Sequence, residues 1–316
     1  MRWWVAGLLA FLTAGSAAGD APLSTYLSGA GSANGIRRES IHLSSREVAP
    51  GGVLRILVAG SDSGEVVLED SDGIVISRAA SVLLRAGELA SVTAFLLPFD
   101  STVTPGDYTV LVRNPVRATA RFAVEVVPRS FLSQEIALNR RLTLLRSVPD
   151  PEKARQTREL SRLILSRDPE AVYHTEPLLW PLPRSSRETS AFGVRRRFVY
   201  SDGSDARTIH VGVDLAAPTG SEVASAGRGM VRMAEFRIVT GWTVVVEHLP
   251  GVFSMYYHLD QLSVSAGQLV EAGQALGTVG ATGLATGAHL HWEVRVAGVP
   301  VDPEELTVRA LISISG

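Results

Sequence analysis

Three short segments in the second half of the chain carry side chains that could bind a metal ion. They read His210-Val211-Gly212-Val213-Asp214, Tyr256-Tyr257-His258-Leu259 and Gly287-Ala288-His289-Leu290-His291-Trp292. Five of the seven histidines lie after residue 200, which places the chemistry in this half. Two neutral imidazoles and one carboxylate, with no thiolate, form the ligand set of a catalytic zinc site that keeps a fourth position open.

The histidine pair lies in a run that alternates strictly from Ala288 to Ala297. In a strand, residues two apart project to the same side, so His289, His291 and Glu293 share one face. The two imidazoles then stand on Cα atoms about 6.5–7 Å apart. One of them can bind a metal while its neighbour reaches the attacking water molecule, because both cannot easily bind one ion at about 2.1 Å.

His210 and Asp214 are four residues apart, a spacing that would put both on one face of a helix. Val211, Gly212 and Val213 argue against a helix. In an ideal strand the two functional side chains would be about 13 Å apart. A bend or bulge at Gly212 would bring them together, and the sequence therefore predicts one there.

Each of these patterns is weak by itself, and the signal lies in their combination. The remaining histidines, His42, His174 and His248, have no partner at an informative spacing, so we interpret them as structural. Tyr256 or Tyr257 could assist catalysis, although packing within a strand is the better interpretation for at least one of them.

The stretch from Phe192 to Pro303 resembles a LytM/lysostaphin-type zinc metallopeptidase domain. Besides the three segments above, four landmarks carry the resemblance: Phe192-Gly193-Val194-Arg195, Pro218-Thr219-Gly220-Ser221-Glu222-Val223, Gly267-Gln268-Leu269-Val270 and Gly277-Thr278-Val279-Gly280-Ala281-Thr282-Gly283. The resemblance implies a two-sheet antiparallel β fold with a groove, one zinc ion per chain, and hydrolysis of peptide bonds in the stem or cross-link peptides of bacterial peptidoglycan.

The resemblance also assigns roles to individual positions. His210, Asp214 and His291 match the zinc ligands, and His258 and His289 match the catalytic histidines beside the attacking water molecule. One of these two histidines would take a proton from the water and return it to the leaving amine, and the other would hydrogen-bond the developing oxyanion. The sequence does not divide the two roles between them.

Two other functions compete with a peptidase. A non-enzymatic member of this group would bind the cell wall or activate another wall hydrolase, but such members typically lack one or more of the five residues. A carrier domain of biotinyl or lipoyl type would suit the Gly-rich run Val264–Gly280. Carriers need a modifiable lysine, and Lys153, the only lysine of the chain, lies outside this half.

Composition excludes further classes of function. The net charge of −2 gives no electrostatic reason to expect a nucleic acid as partner. The chain has no cysteine, so disulfides, zinc–thiolate sites and cysteine nucleophiles are excluded. With 46% hydrophobic residues over 316 positions, the chain can build packed cores in two domains.

The chain divides into four predicted segments. Residues 1–18 fit a signal peptide, with one arginine, an apolar run and small residues at the cleavage site. We therefore expect an exported protein of the periplasm, cell envelope or medium that stays off the membrane once the signal is cleaved. Residues 19–128 predict an immunoglobulin-like β-sandwich, 129–176 a helical connector, and 177–316 the metallopeptidase domain.

Short apolar runs separated by Gly, Pro and Asp predict the strands. Those of the sandwich are Val53–Val58, Val66–Glu69, Ile74–Ser77, Val92–Leu97, Tyr108–Arg113 and Arg121–Val126, and those of the C-terminal part are Gly229–Ala234, Trp242–Glu247, Phe253–His258 and His289–Val296. In the connector, Asp150 followed by Pro151 predicts a helix start. The fold class is therefore mainly β.

Overall fold

A computed structural model describes residues 41–61, 63–86, 90–114 and 117–312 of the protein. The predicted signal peptide lies outside the described residues. Within them, strands far outnumber helices, which confirms the predicted mainly β class. The strands are β1 (Ile41–Leu43), β2 (Glu47–Val48), β3 (Val53–Ala59), β4 (Glu65–Glu69), β5 (Val75–Arg78), β6 (Ala80–Ala86), β7 (Ala90–Pro98), β8 (Gly106–Asn114), β9 (Arg117–Val126), β10 (Ser133–Ala137), β11 (Arg187–Ser190), β12 (Arg195–Val199), β13 (Asp205–Ile209), β14 (Val213–Ala216), β15 (Glu222–Ala224), β16 (Gly229–Arg237), β17 (Gly241–Leu249), β18 (Val252–Leu262), β19 (Leu269–Val270), β20 (Ala275–Val279), β21 (Leu290–Val296) and β22 (Val299–Val301). The helices are α1 (Arg140–Ser147), α2 (Pro151–Leu165) and α3 (Glu305–Val308).

The N-terminal unit is built from two sheets that face each other. One has the strand order β1-β3-β7-β6 and the other β2-β9-β8-β4-β5. Alternate residues of β3, such as Leu54 and Ile56, pack between the sheets against Val110 of β8 and Val124 of β9. Every predicted strand of this region overlaps an observed one, and β1, β2 and β6 are additional strands that the sequence analysis did not predict.

The other face of the first sheet is also covered. Val53 and Leu57 of β3 and Leu96 of β7 belong to one apolar cluster with Leu215 and Val294 of the C-terminal part. All seven residues of β3 are buried, because the strand is packed on both faces. The N-terminal sheet therefore contributes directly to the core that supports the C-terminal strands.

The segment between the two units contains both predicted and unpredicted elements. Helix α2 begins after Asp150, whose carboxylate accepts hydrogen bonds from the backbone N–H groups of Glu152 and Lys153, as predicted from the Asp-Pro pair. Strand β10 was not predicted. It pairs in parallel with β12, so this segment supplies an edge strand to a C-terminal sheet.

The C-terminal unit has two sheets. A small one has the order β10-β12-β13, and a large one of ten strands runs β11-β14-β21-β18-β17-β16-β19, with β15, β20 and β22 attached. Ile164 of α2 packs on the large sheet against Phe253 and Tyr257 of β18. No helix in the part of the chain that the structure describes is long and apolar enough to cross a membrane.

Candidate metal centre

Asp214 and His291 are brought together by strand pairing. They are register partners on the antiparallel strands β14 and β21, and His291 in turn pairs with Tyr257 on β18. Directly opposite residues of an antiparallel pair have Cβ atoms about 4.5–5.5 Å apart. The Nδ1 atom of His291 accordingly lies 2.9 Å from Oδ1 of Asp214.

His210 reaches the same point through a turn at Gly212. Its ring atom Nε2 lies 3.1 Å from Oδ1 of Asp214, far less than the separation in an extended strand. A Cβ atom on Gly212 would lie 2.4 Å from the carbonyl oxygen of Trp292 and 2.9 Å from Nε2 of His291. Only glycine lets the backbone pass this close to β21, which is the physical basis of the predicted bend.

The three ligand atoms form a nearly equilateral triangle. The third side, from Nε2 of His210 to Nδ1 of His291, is 3.0 Å. A tetrahedral ion with bonds of about 2.0–2.1 Å separates its ligand atoms by about 3.3 Å, so the triangle closely matches zinc coordination. His210, Asp214 and His291 are all buried and could together hold a metal ion.

Outer contacts orient each ligand. Nδ1–H of His210 donates to the carbonyl of Ala191 at 2.8 Å, which leaves Nε2 free to bind a cation. Arg196 donates to the second carboxylate oxygen of Asp214. Nε2 of His291 lies 3.7 Å from the carboxylate of Glu293, which is itself paired with Arg295. Such partners fix the tautomer and the ring orientation of a metal-binding histidine.

Burial and hydrogen bonds set the protonation of the ligands. Burial lowers the pKa of His210. Burial opposes ionisation of Asp214, but hydrogen bonds from His210 and His291 outweigh it and hold the pKa of this carboxyl well below its ordinary value. Burial also opposes the charged form of His291, yet Asp214 and Glu293 raise its pKa to about 9. A cation at this triangle therefore competes with the proton on His291.

His258 points toward the centre because its strand is irregular. The register of β17 and β18 shifts between the pairs Val244–Tyr256 and Trp242–Leu259, and His258 has a φ of 62°. Strict alternation would turn His258 toward the face of the buried Tyr256. The bulge re-aims it into the cleft that contains Asp214 and His291. Burial, with the neighbouring His289 and His291, lowers the pKa of His258 to about 3.

His289 lies next to the ligand triangle on the face it shares with His291. Its ring centroid is 4.8 Å from that of His258, and its Nε2 atom is 3.7 Å from Oδ1 of Asp214. Nδ1–H of His289 donates to the carbonyl of Gly287, and Nδ1–H of His258 donates to the carbonyl of Thr282. In both rings, Nε2 is therefore left as the proton acceptor.

The two tyrosines pack rather than face the cleft. The hydroxyl of Tyr256 is buried and accepts a hydrogen bond from the backbone N–H of Ala226. The ring of Tyr257 is stacked on that of His291 with an interplanar angle of 1°, and its hydroxyl contacts the sulfur of Met255.

The remaining histidines lie away from the ligand triangle. His248 is buried, donates from one ring nitrogen to the carbonyl of Arg228 and contacts Ser254 with the other. The ring centroid of His174 lies 6.1 Å from that of His248. His42 lies on β1 in the N-terminal sheet.

An open cleft of about 480 Å³ adjoins the centre. It is lined by Asp214, His258, His289 and His291, by Arg196, by residues of β11 and the loop before β21, and by consecutive residues 134–138. Arg196, Glu293 and the 134–138 wall were not identified from the sequence. The alternation that places Glu293 on the face of His291 was the available signal for that residue.

Glu293→Gln tests the outer contact on His291. The substitution keeps the size of the side chain but removes the negative charge facing Nε2, so we expect zinc affinity to fall by about 10–100-fold. Competition with a fluorescent chelator measures it. Glu159→Gln, on the exposed side of α2, is the control and should leave the affinity unchanged. Equal zinc affinities for Glu293→Gln and Glu159→Gln would show that Glu293 does not orient His291.

Comparison with known proteins supports the resemblance seen in the sequence. Residues 208–303 match the model of Peptidase family M23, so the C-terminal unit contains an M23 domain. The DD-carboxypeptidase/endopeptidase Mpg of Neisseria meningitidis serogroup B is 34% identical over 131 residues, which are 42% of this chain and 28% of that protein. The peptidoglycan DD-endopeptidase ShyB of Vibrio cholerae is 38% identical over 125 residues, 39% of this chain and 28% of that protein.

The chain thus covers 28% of the length of each of these relatives. A crystal structure of a Pseudomonas aeruginosa protein described as an M23 peptidase has a TM-score of 0.52 and 22% identity, covering 82% of this chain and 94% of that one. At this identity the likeness concerns the fold, and it extends beyond the M23 domain.

Proposed function

We propose that this protein is an exported, zinc-dependent endopeptidase that hydrolyses peptide bonds in the stem or cross-link peptides of bacterial peptidoglycan. The observation that carries the proposal is the triangle of His210, Asp214 and His291, of which Asp214 and His291 line an open cleft. These three residues would hold one zinc ion per chain. The M23 match of the segment that contains them supports a hydrolytic role.

The proposed chemistry divides between the ion and two histidines. When bound, zinc supplies a Lewis acid that polarises the scissile carbonyl and lowers the pKa of a water molecule. His258 and His289 present Nε2 to the same cleft, and each can accept a proton there, because its Nδ1–H is held by a backbone carbonyl. Burial, with the neighbouring His289 and His291, lowers the pKa of His258 to about 3, so the His258 ring is neutral at pH 7 and has a free site for a proton.

The reaction consumes one water molecule for each peptide bond. Its oxygen bonds to the carbonyl carbon while a cleft histidine takes up one of its protons. The C–N bond then breaks as that proton passes to the nitrogen of the leaving amine, and the other proton leaves with the new carboxyl group. The second histidine hydrogen-bonds the oxygen on which negative charge develops. Both relatives are named for action on D,D bonds, and we extend this to the present chain as its preferred bond.

The remaining segments complete the proposal. Residues 1–18 would direct export, and residues 19–128 would form an accessory unit that supports the domain from 177 to 316 through the connector of residues 129–176. The packing of β3 and β7 on the C-terminal core favours a supporting role for this unit.

Purified sacculi provide the test. The full mature chain, loaded with zinc, should release new amino termini from D,D cross-links, identified by mass spectrometry of the digested products. Chelator should abolish the release and added zinc should restore it. A zinc-loaded protein that sediments with sacculi but creates no amino terminus would instead indicate a wall-binding or activating protein.

A further inference from the structure

Strand β10 presents one free edge. Leu138 N–H donates to the carbonyl of Val199 at 2.8 Å, and Arg195 N–H donates to the carbonyl of Leu132 at 2.9 Å. In a parallel ladder, the residues that bond to the neighbour alternate along a strand. The even-numbered residues of β10 therefore bond to β12, and the backbone groups of Ser133, Glu135 and Ala137 point the other way.

The free edge faces the cleft of the metal centre. A strand that turned one face to a cavity would line it with every second residue. Here the five consecutive residues 134–138 all line the cleft, as expected when the edge of the strand faces it. Among the described residues, no other strand pairs with β10 on this side.

The edge begins beside the ligand triangle. Gln134 is the register partner of Arg196, whose guanidinium donates a hydrogen bond to the carboxylate of Asp214. The Oε1 atom of Gln134 accepts a hydrogen bond from Ser190 of β11 at 3.1 Å, and the adjacent Ala191 carbonyl holds His210. Strand β10 thus approaches the metal ligands through two separate contacts, although it lies outside the segment that matches the peptidase family.

We propose that the free edge of β10 binds the substrate peptide as an added strand and positions its scissile bond over the ligand triangle. Backbone N–H and C=O groups give such an added strand its affinity, independently of its side chains. We identify the added strand as the substrate peptide because the free edge and the metal centre line the same cleft. This inference rests on the proposed peptidase function and assigns to β10 a positioning role in it.

The test compares Glu135→Pro with Glu135→Ala in the full chain. Both variants remove the carboxylate that pairs with Arg197, but only proline also removes the N–H that points to the cleft. That N–H takes no part in the ladder to β12, and proline is tolerated on an edge strand. We expect the KM for a cross-linked muropeptide to rise about 3–10-fold in the proline variant relative to the alanine variant.

Further measurements make the comparison decisive. The kcat, the zinc content and the thermal midpoint should agree between the two variants, since a merely structural effect would move them. Binding of the same muropeptide by calorimetry, in zinc-loaded proteins that also carry His289→Ala, should weaken by the same factor. Ala137→Pro, at the next outward-facing position, should repeat the result.

The outcomes separate the two proposals. Equal KM and equal binding for Glu135→Pro and Glu135→Ala would overturn the role of β10 while leaving the peptidase function standing. Unfolding of both proline variants would show that the outward N–H groups are already engaged, and would also overturn it. A wild-type chain that binds muropeptide through this edge but never cleaves it would refute the peptidase function alone.

Discussion

His210→Ala and His291→Ala should each release the metal ion and abolish hydrolysis. Each substitution leaves two side chains of the triangle, and two protein ligands rarely hold zinc. The loss should be complete for both variants, because the three ligand atoms are nearly equivalent in position, at mutual distances of 2.9–3.1 Å. Metal content after dialysis, measured by inductively coupled plasma mass spectrometry, provides the readout.

A histidine outside the centre controls for the substitution itself. His42→Ala changes a half-buried side chain on β1, in the N-terminal sheet, and should keep one zinc ion per chain. Circular dichroism should show that the ligand variants retain their strands, since most of the core lies away from the triangle. Stoichiometric zinc in a dialysed His210→Ala/His291→Ala double variant would refute the ligand assignment.

The approach of His210 to Asp214 could be predicted because it depends on short-range geometry, whereas the pairing of β14 with β21 that adds His291 joins residues far apart in the sequence. The alternation around His291 gave its face, and a glycine between two valines gave the bend that brings His210 to Asp214. The structure adds the reason why glycine is required, namely the carbonyl of Trp292 at the place where a Cβ atom would lie. These are local constraints, and the sequence carries them within a few residues.

The orientation of His258 could not be predicted in this way. A two-residue period places it on the face opposite Tyr257, and only the bulge against β17 and the positive φ reverse this. A register shift depends on the partner strand, here β17, and cannot be recognised from the apolar–polar alternation of β18 itself. The resemblance to LytM-type domains assigned the catalytic role to His258, whereas strict alternation along the strand would have placed its side chain away from the site.

The contacts between the predicted segments also could not be predicted from the sequence. Strand β10 is half exposed and shows no apolar alternation, since its role is to pair with β12 at an edge. Strand β3, in contrast, is apolar except for Arg55, and such a run indicates a strand buried on both faces. The division at residues 128 and 176 stays a prediction, and the contacts of β3 and β10 show where the segments depend on each other.

His258→Ala and His289→Ala should separate catalysis from metal binding. Neither side chain belongs to the ligand triangle, so both variants should retain one zinc ion per chain. Hydrolysis of muropeptides should nevertheless fall by about 10²–10⁴-fold in each, the usual contribution of a positioned proton-transfer group. The loss should appear in kcat, measured by quantifying new amino termini. Loss of zinc from the His289 variant would mean that His289, and not His291, is the zinc ligand.

The double variant His258→Ala/His289→Ala tests whether the two histidines act together. Their ring centroids are 4.8 Å apart, and both present Nε2 to the same cleft. Residues that act as a unit on one reacting centre show strongly non-additive losses. We therefore expect the double variant to be at most about tenfold slower than the worse single variant, whereas independent groups would multiply their losses. Multiplied losses with zinc retained would instead show that the two histidines contribute independently to the reaction.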